Sequence, residues 1–137
     1  MMKKILCFCI NGEDIYLDQV LVEYEGVPIF FICKGESGYY GVLCTDMKAL
    51  KYIVVRSSPI EISRMLHGEF TMYDFFAEHV TYWEVETSTE ISSDVVILKN
   101  IKEEVIKSFP ERGAYYEILT EAEQEYMNRV DLCVSIK

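Results

Sequence analysis

Short apolar runs separated by turn-forming residues dominate the chain as far as Arg56, a pattern that predicts consecutive strands. Residues 15–24 are rich in Ile, Tyr, Leu and Val and predict a strand ending at Glu25-Gly26. Residues 29–34 form an apolar run too short for a helix, which predicts a central strand. Gly35-Glu36-Ser37-Gly38 then supplies a hairpin turn, with residues 39–45 as the return strand. Residues 51–56 add another. Together these predict an antiparallel meander of about four strands.

The pattern then shifts to helical spacing. Ser58-Pro59-Ile60-Glu61 combines a Ser cap, Pro at the first helical position and Glu three residues beyond the cap. Ile62, Met65 and Leu66 form an apolar stripe, and Gly68 sits where a left-handed helix stop belongs. Thr71-Met72-Tyr73-Asp74 opens a second helix with Met72, Phe75 and Phe76 facing inward. Residues 81–86 alternate as a strand, 87–93 read as a loop or flexible hairpin, and 94–99 as another strand. Asn100 can cap a short helix over 101–108, ended by Phe109-Pro110. Residues 113–119 fit either a strand or an extended loop. Thr120-Glu121-Ala122-Glu123 is a capping box for a terminal helix through Arg129, with 131–136 a candidate return strand. The expected fold is α+β: an antiparallel meander or curved sheet with several short helices packed on one face. No linker or repeat divides residues 1–137, so a single domain is expected.

Several positions resemble a small, uncharacterised bacterial and phage family of unknown function. They are Ile15-Tyr16-Leu17-Asp18, Leu66-His67-Gly68-Glu69-Phe70-Thr71, Asp74-Phe75, Tyr82-Trp83-Glu84-Val85 and Phe109-Pro110-Glu111-Arg112-Gly113-Ala114-Tyr115. The resemblance spans most of residues 15–119 and leaves the terminal helix outside it. These motifs are structural punctuation. They imply a fold and a prokaryotic or phage setting, and no functional residues.

Charge narrows the function classes. Net charge is −10, and residues 61–137 carry nearly all of it, with sixteen acids against seven bases. Residues 1–60 are close to balanced, with seven acids and six bases. Direct binding to nucleic acid is disfavoured, because phosphate contact needs clustered Lys and Arg. A basic protein surface is a better match, and opposite charge would accelerate the encounter. The opening apolar stretch resembles a signal peptide until Asn11-Gly12-Glu13-Asp14 interrupts it. It reads instead as a short first strand of a cytoplasmic protein, and no run is long enough to cross a membrane.

Five cysteines, four of them in apolar strand-like sequence, read as reduced thiols rather than a disulfide framework. Cys7 and Cys9 share a strand face, but the further ligands that a zinc site needs are lacking nearby, so neither metal nor cofactor is expected. His67 and His79 each end a helix, where an imidazole can bond terminal carbonyls. Gly35-x-x-Gly38 matches the phosphate clamp of one RNA-binding module, but that clamp joins helices and needs bases. The carboxylate pairs Glu69 with Asp74 and Glu103 with Glu104 fall at helix starts, where acids complement the helix dipole. No nucleophile elbow or nucleotide-binding glycine loop is present in the sequence, so no enzymatic activity is expected.

The adjacent aromatics Tyr39-Tyr40, Tyr82-Trp83 and Tyr115-Tyr116 remain. Neighbours on a strand face opposite ways, so some are expected at an exposed surface suited to binding a protein, or else in a second buried layer or homodimer core. The reading that follows is an acidic interaction protein, an inhibitor or antidote that occludes a basic, nucleic-acid-handling partner. Tyr115, Tyr116, Glu117, Glu121, Glu123 and Glu125 are its expected partner-binding residues. A regulatory domain binding a small molecule or nucleotide between sheet and helices is the rival.

Overall fold

The computed structural model describes residues 5–79, 81–87, 94–100 and 113–135. It is an α+β protein whose chain resolves into two compact units. One comprises Met1–Arg56 with Thr81–Asn100, the other Ser57–Val80 with Ile101–Lys137.

The first unit is a curled, antiparallel seven-stranded sheet in which sequence order and spatial order coincide. Its strands are β1 (Leu6–Ile10), β2 (Glu13–Tyr24), β3 (Val27–Gly35), β4 (Gly38–Asp46), β5 (Lys51–Ser57), β6 (Thr81–Glu86) and β7 (Val95–Asn100). Two-residue turns at Asn11-Gly12 and Glu25-Gly26 place both residues at positive φ, which matches the twist of the flanking strands. Gly35 pairs with Gly38 across the next turn, so the Gly-x-x-Gly motif is a hairpin tip. The pairing of β1 with β2 slips between Leu6 and Phe8, and that of β2 with β3 slips between Leu17 and Gln19. Such bulges increase local twist and help curl the sheet.

Alternation along these strands builds a core from Phe8, Ile10, Ile15, Phe31, Cys33, Tyr40, Val42, Val54 and Val85. Phe30, Ile32, Tyr39 and Ile53, whose side chains point the other way, are buried too. The sequence offered Tyr39-Tyr40 either an exposed surface or a second buried layer. The structure gives the second: both tyrosines are buried, as is Tyr82, with Trp83 half-buried against Tyr40 at 5.9 Å between ring centroids.

In the second unit, α1 (Pro59–Leu66) packs against α2 (Met72–Ala77) and against α3 (Glu121–Ser135). Three of the four predicted caps fall on described helices, and all three form. Ser58 accepts from the Glu61 N–H at 3.3 Å, Thr71 from the Asp74 N–H at 3.1 Å and Thr120 from the Glu123 N–H at 3.2 Å. Gly68 stops α1 at φ +74, with Gly68 N–H donating to Met65 O and Glu69 N–H to Arg64 O. These two bonds complete a Schellman stop.

One expectation is corrected, and one open choice is resolved. The strand expected over 131–136 is replaced, as far as the described residues go, by helix: α3 continues to Ser135. Tyr126, Met127 and Val130 keep a helical stripe buried, and Asp131 is held by bonds from α1, which overrides the strand-like alternation of Leu132 and Val134. Of the two alternatives for residues 113–119, strand or extended loop, the second holds: they run as an irregular segment into the Thr120 cap. The helix expected over 101–108, with Glu103 and Glu104, and most of the 87–93 loop lie outside the described residues.

Candidate functional site

Antiparallel pairing brings the β1–β2 turn and the β3–β4 turn to the same end of the sheet, where Tyr16 lies opposite Lys34. Between them opens a cleft of about 750 Å³. Among the described residues its walls carry Glu13, Asp14, Asp18 and Glu36 against a single lysine, Lys34. Tyr16 and Leu17 add apolar surface. Asp14 and Glu36 are exposed, while Asp18 and Tyr16 are half-buried. Four carboxylates around one concavity concentrate negative potential there, and low-dielectric walls sharpen it.

One wall is rigidly built. Glu13 Oε1 accepts from the Ser37 hydroxyl at 2.8 Å, from the Ser37 N–H at 3.4 Å and from the Tyr40 hydroxyl at 3.2 Å. Arg56 closes the network, donating to the Ser37 carbonyl at 2.6 Å and to the Tyr40 hydroxyl at 3.4 Å. The Ser37 hydroxyl foremost, then the Ser37 N–H, Tyr40 and the Arg56 charge, hold the Glu13 carboxyl below the usual glutamate range against an opposing desolvation effect. Glu13 is therefore an ionised, fixed wall, and Gly35 beside it leaves no room for a Cβ: one built there would fall 2.7 Å from the Ile15 side chain.

The six residues expected to bind a partner divide. Tyr115 is 58% exposed, and Glu117, Glu121 and Glu125 are exposed at and before the start of α3. Tyr116 is only 7% exposed, and its hydroxyl donates to Glu123 Oε1. Burial and this bond push the Tyr116 phenol well up. Glu123 also takes the Thr120 hydroxyl at 2.7 Å and belongs to the cap. Tyr116 is thus an internal brace rather than an exposed anchor, and Tyr115 presents the aromatic surface.

Both histidines meet carboxylates instead of terminal carbonyls. His67 Nε2 lies 2.9 Å from Asp131 Oδ2, and His79 Nε2 lies 3.1 Å from Glu61 Oε2. Asp131 also accepts from the Ser63 hydroxyl at 2.6 Å. This Ser–Asp–His set does not make a nucleophile, because Ser63 bonds the carboxylate and the carboxylate, not the imidazole, sits in the middle. Glu69 pairs with Arg64 at 3.4 Å, and Asp74 lies in the first turn of α2, so these acids have structural work. Among the described residues, no group of three or more His, Cys, Asp or Glu is placed to hold a metal ion. No helix of the described residues is long and apolar enough to cross a membrane.

The cleft is hidden in the sequence because residues 1–60 are nearly balanced in charge overall, and only folding gathers their acids at one end of the sheet. The signal was present: Glu13-Asp14, Asp18 and Glu36 flank the first and third turns of a meander, and alternate turns of a meander share one end. Comparison with known protein families, with characterised proteins and with solved structures finds no match.

Proposed function

We propose that this protein is a non-enzymatic acidic interaction protein that occludes a basic partner protein. The observation that carries this reading is the cleft at the sheet end, where, among the described residues, four carboxylates face one lysine. A lysine or arginine from a partner would find charge there, with the Tyr16 ring and Leu17 to cover its methylene stem. The second unit supplies its own acidic surface at Glu117, Glu121 and Glu125, with Tyr115 as an aromatic contact. Acidic surfaces on both units fit a bacterial or phage inhibitor or antidote of the anti-defence or immunity type, acting in the bacterial cytoplasm. Its target is a nucleic-acid-handling protein whose basic face it competes for. The same charge argues against direct contact with nucleic acid.

The cleft volume also falls within the range of small-molecule sites. Its carboxylate walls repel phosphate, however, and a nucleotide is a poor match for them. A cationic side chain fits better.

Carbodiimide coupling tests the reading, because it joins carboxylates to lysine amines only where the two touch. Applied to the protein in a bacterial host lysate, it is expected to join Asp14, Asp18 or Glu36 to lysines of one basic protein. Couplings scattered over unrelated acids and many proteins would count against it.

A further inference from the structure

A basic residue fastens one wall of the acidic cleft. Ser37 stands at the tip of the β3–β4 hairpin, and its hydroxyl, N–H and carbonyl are all tied to residues outside that turn. The hydroxyl and the N–H donate to Glu13 Oε1, and the carbonyl accepts from Arg56 Nη2 at 2.6 Å. The other arm of the same guanidinium donates to the Tyr40 hydroxyl at 3.4 Å, and that hydroxyl donates to Glu13 at 3.2 Å. The guanidinium also lies over the Tyr40 ring, 5.6 Å from its centroid. Arg56 belongs to β5, so the network runs from β5 across β4 to the β3–β4 tip and on to the first residue of β2.

The cleft depends on that tip. Glu13, Gly35 and Glu36 all line it, and Glu36 is the immediate neighbour of the fastened Ser37. Glu13 lies so close over Gly35 that a Cβ there would collide with its carboxylate. Side chains on an unbraced tip sample many positions, and ordering them at the moment of binding costs affinity. Carboxylates held in place beforehand avoid that cost. A planar guanidinium can hold two acceptors at once in fixed geometry, which a lysine ammonium does not reproduce.

We propose that Arg56 is a positioning residue for the docking site: from outside the cleft lining it fixes the Ser37 tip, and with it the Glu13 and Glu36 carboxylates, in the arrangement that receives a partner's basic side chain. The proposal rests on reading the cleft as the docking site. It reverses the sign that charge alone gives. Neutralising Arg56 makes the surface more negative, which by electrostatics alone would speed association with a basic partner and tighten the complex. Loss of positioning acts after encounter and raises the dissociation rate instead.

The test uses a fluorescently labelled nona-arginine peptide as the basic partner. Association and dissociation rates are measured at low salt for wild type, Arg56→Gln and Ser37→Ala, the last of which removes the hydroxyl bond without changing charge. Both variants are expected to dissociate about three- to tenfold faster than wild type, with on-rates no lower. The triple reversal Asp14→Lys, Asp18→Lys and Glu36→Lys is the control and should lose binding. An Arg56→Gln dissociation rate equal to or below that of wild type, with the reversal still abolishing binding, would overturn the proposal and leave the cleft reading standing. Full binding by the reversal would overturn both. Circular dichroism establishes that each variant is folded, and if Arg56→Gln is not, Ser37→Ala decides by the same criterion.

Discussion

His67 and Asp131 meet at 2.9 Å across sixty-four positions of sequence, tying the end of α1 to the middle of α3. Ser63, one turn earlier on α1, donates to the other oxygen of the same carboxylate at 2.6 Å. Asp131→Ala removes both bonds at once and is expected to cost about 1 kcal/mol, since each contact is partly screened. Asp131→Asn can still accept from Ser63 and should cost less. Urea unfolding followed by fluorescence checks this, and equal losses for the two variants would contradict it.

Gly68 adopts φ +74, and its Cβ position meets nothing within 4 Å. A substitution there is penalised by backbone conformation alone. Gly68→Val should destabilise by about 1 kcal/mol or more, and Gly68→Asn by less, because Asn tolerates the left-handed region. Thermal unfolding of the two variants should rank them in that order.

Tyr115 and Tyr116 should separate cleanly. Tyr116→Phe removes the bond to Glu123 and is expected to lower stability by about 1 kcal/mol while leaving partner binding unchanged. Tyr115→Ala should leave the fold intact and raise the dissociation rate of the complex, because an exposed aromatic acts after encounter. Paired unfolding and dissociation measurements on both variants check the division.

Glu13 makes acid stability sensitive to one network. Its folded carboxyl is held below the ordinary value of 4.5, so the unfolded state binds the proton more readily. The resulting stabilisation is fully present above that ordinary value and is lost as pH falls through the lower folded value. Glu13→Gln should therefore be less stable than wild type at neutral pH. The difference should shrink in acid, as read by midpoints measured from pH 7 downward.

How much of this was legible in the sequence follows from the range of each interaction. Caps and stops at Ser58, Thr71, Thr120 and Gly68 are local, with bonds spanning a few residues, and the sequence predicted all four. Strand order was legible through β5, because each strand of a meander pairs with the next, but not the return of β6 onto β5 after two helices. The far ends of long-range bonds were not: nothing near His67 points to Asp131, and nothing near Glu13 points to Ser37. The sequence predicts a terminal helix only through Arg129, because the apolar and β-branched residues beyond it also suit a strand, and only the packing of α3 on α1 settles the competition. Tyr116 looked like a surface residue because adjacency to Tyr115 does not reveal which of the two turns inward.

The measurement that tests the account most directly is the association rate with the partner that carbodiimide coupling identifies, recorded against salt. The comparison is between wild type and a triple reversal, Asp14→Lys, Asp18→Lys and Glu36→Lys. If the cleft receives a cationic side chain, the wild-type on-rate falls steeply with added salt, because exposed charges are screened beyond about 8 Å at physiological ionic strength. The triple variant, still folded by circular dichroism, should associate at least about tenfold more slowly at low salt and lose most of that salt dependence. An on-rate indifferent both to salt and to the reversal would contradict an acidic cleft as the docking site.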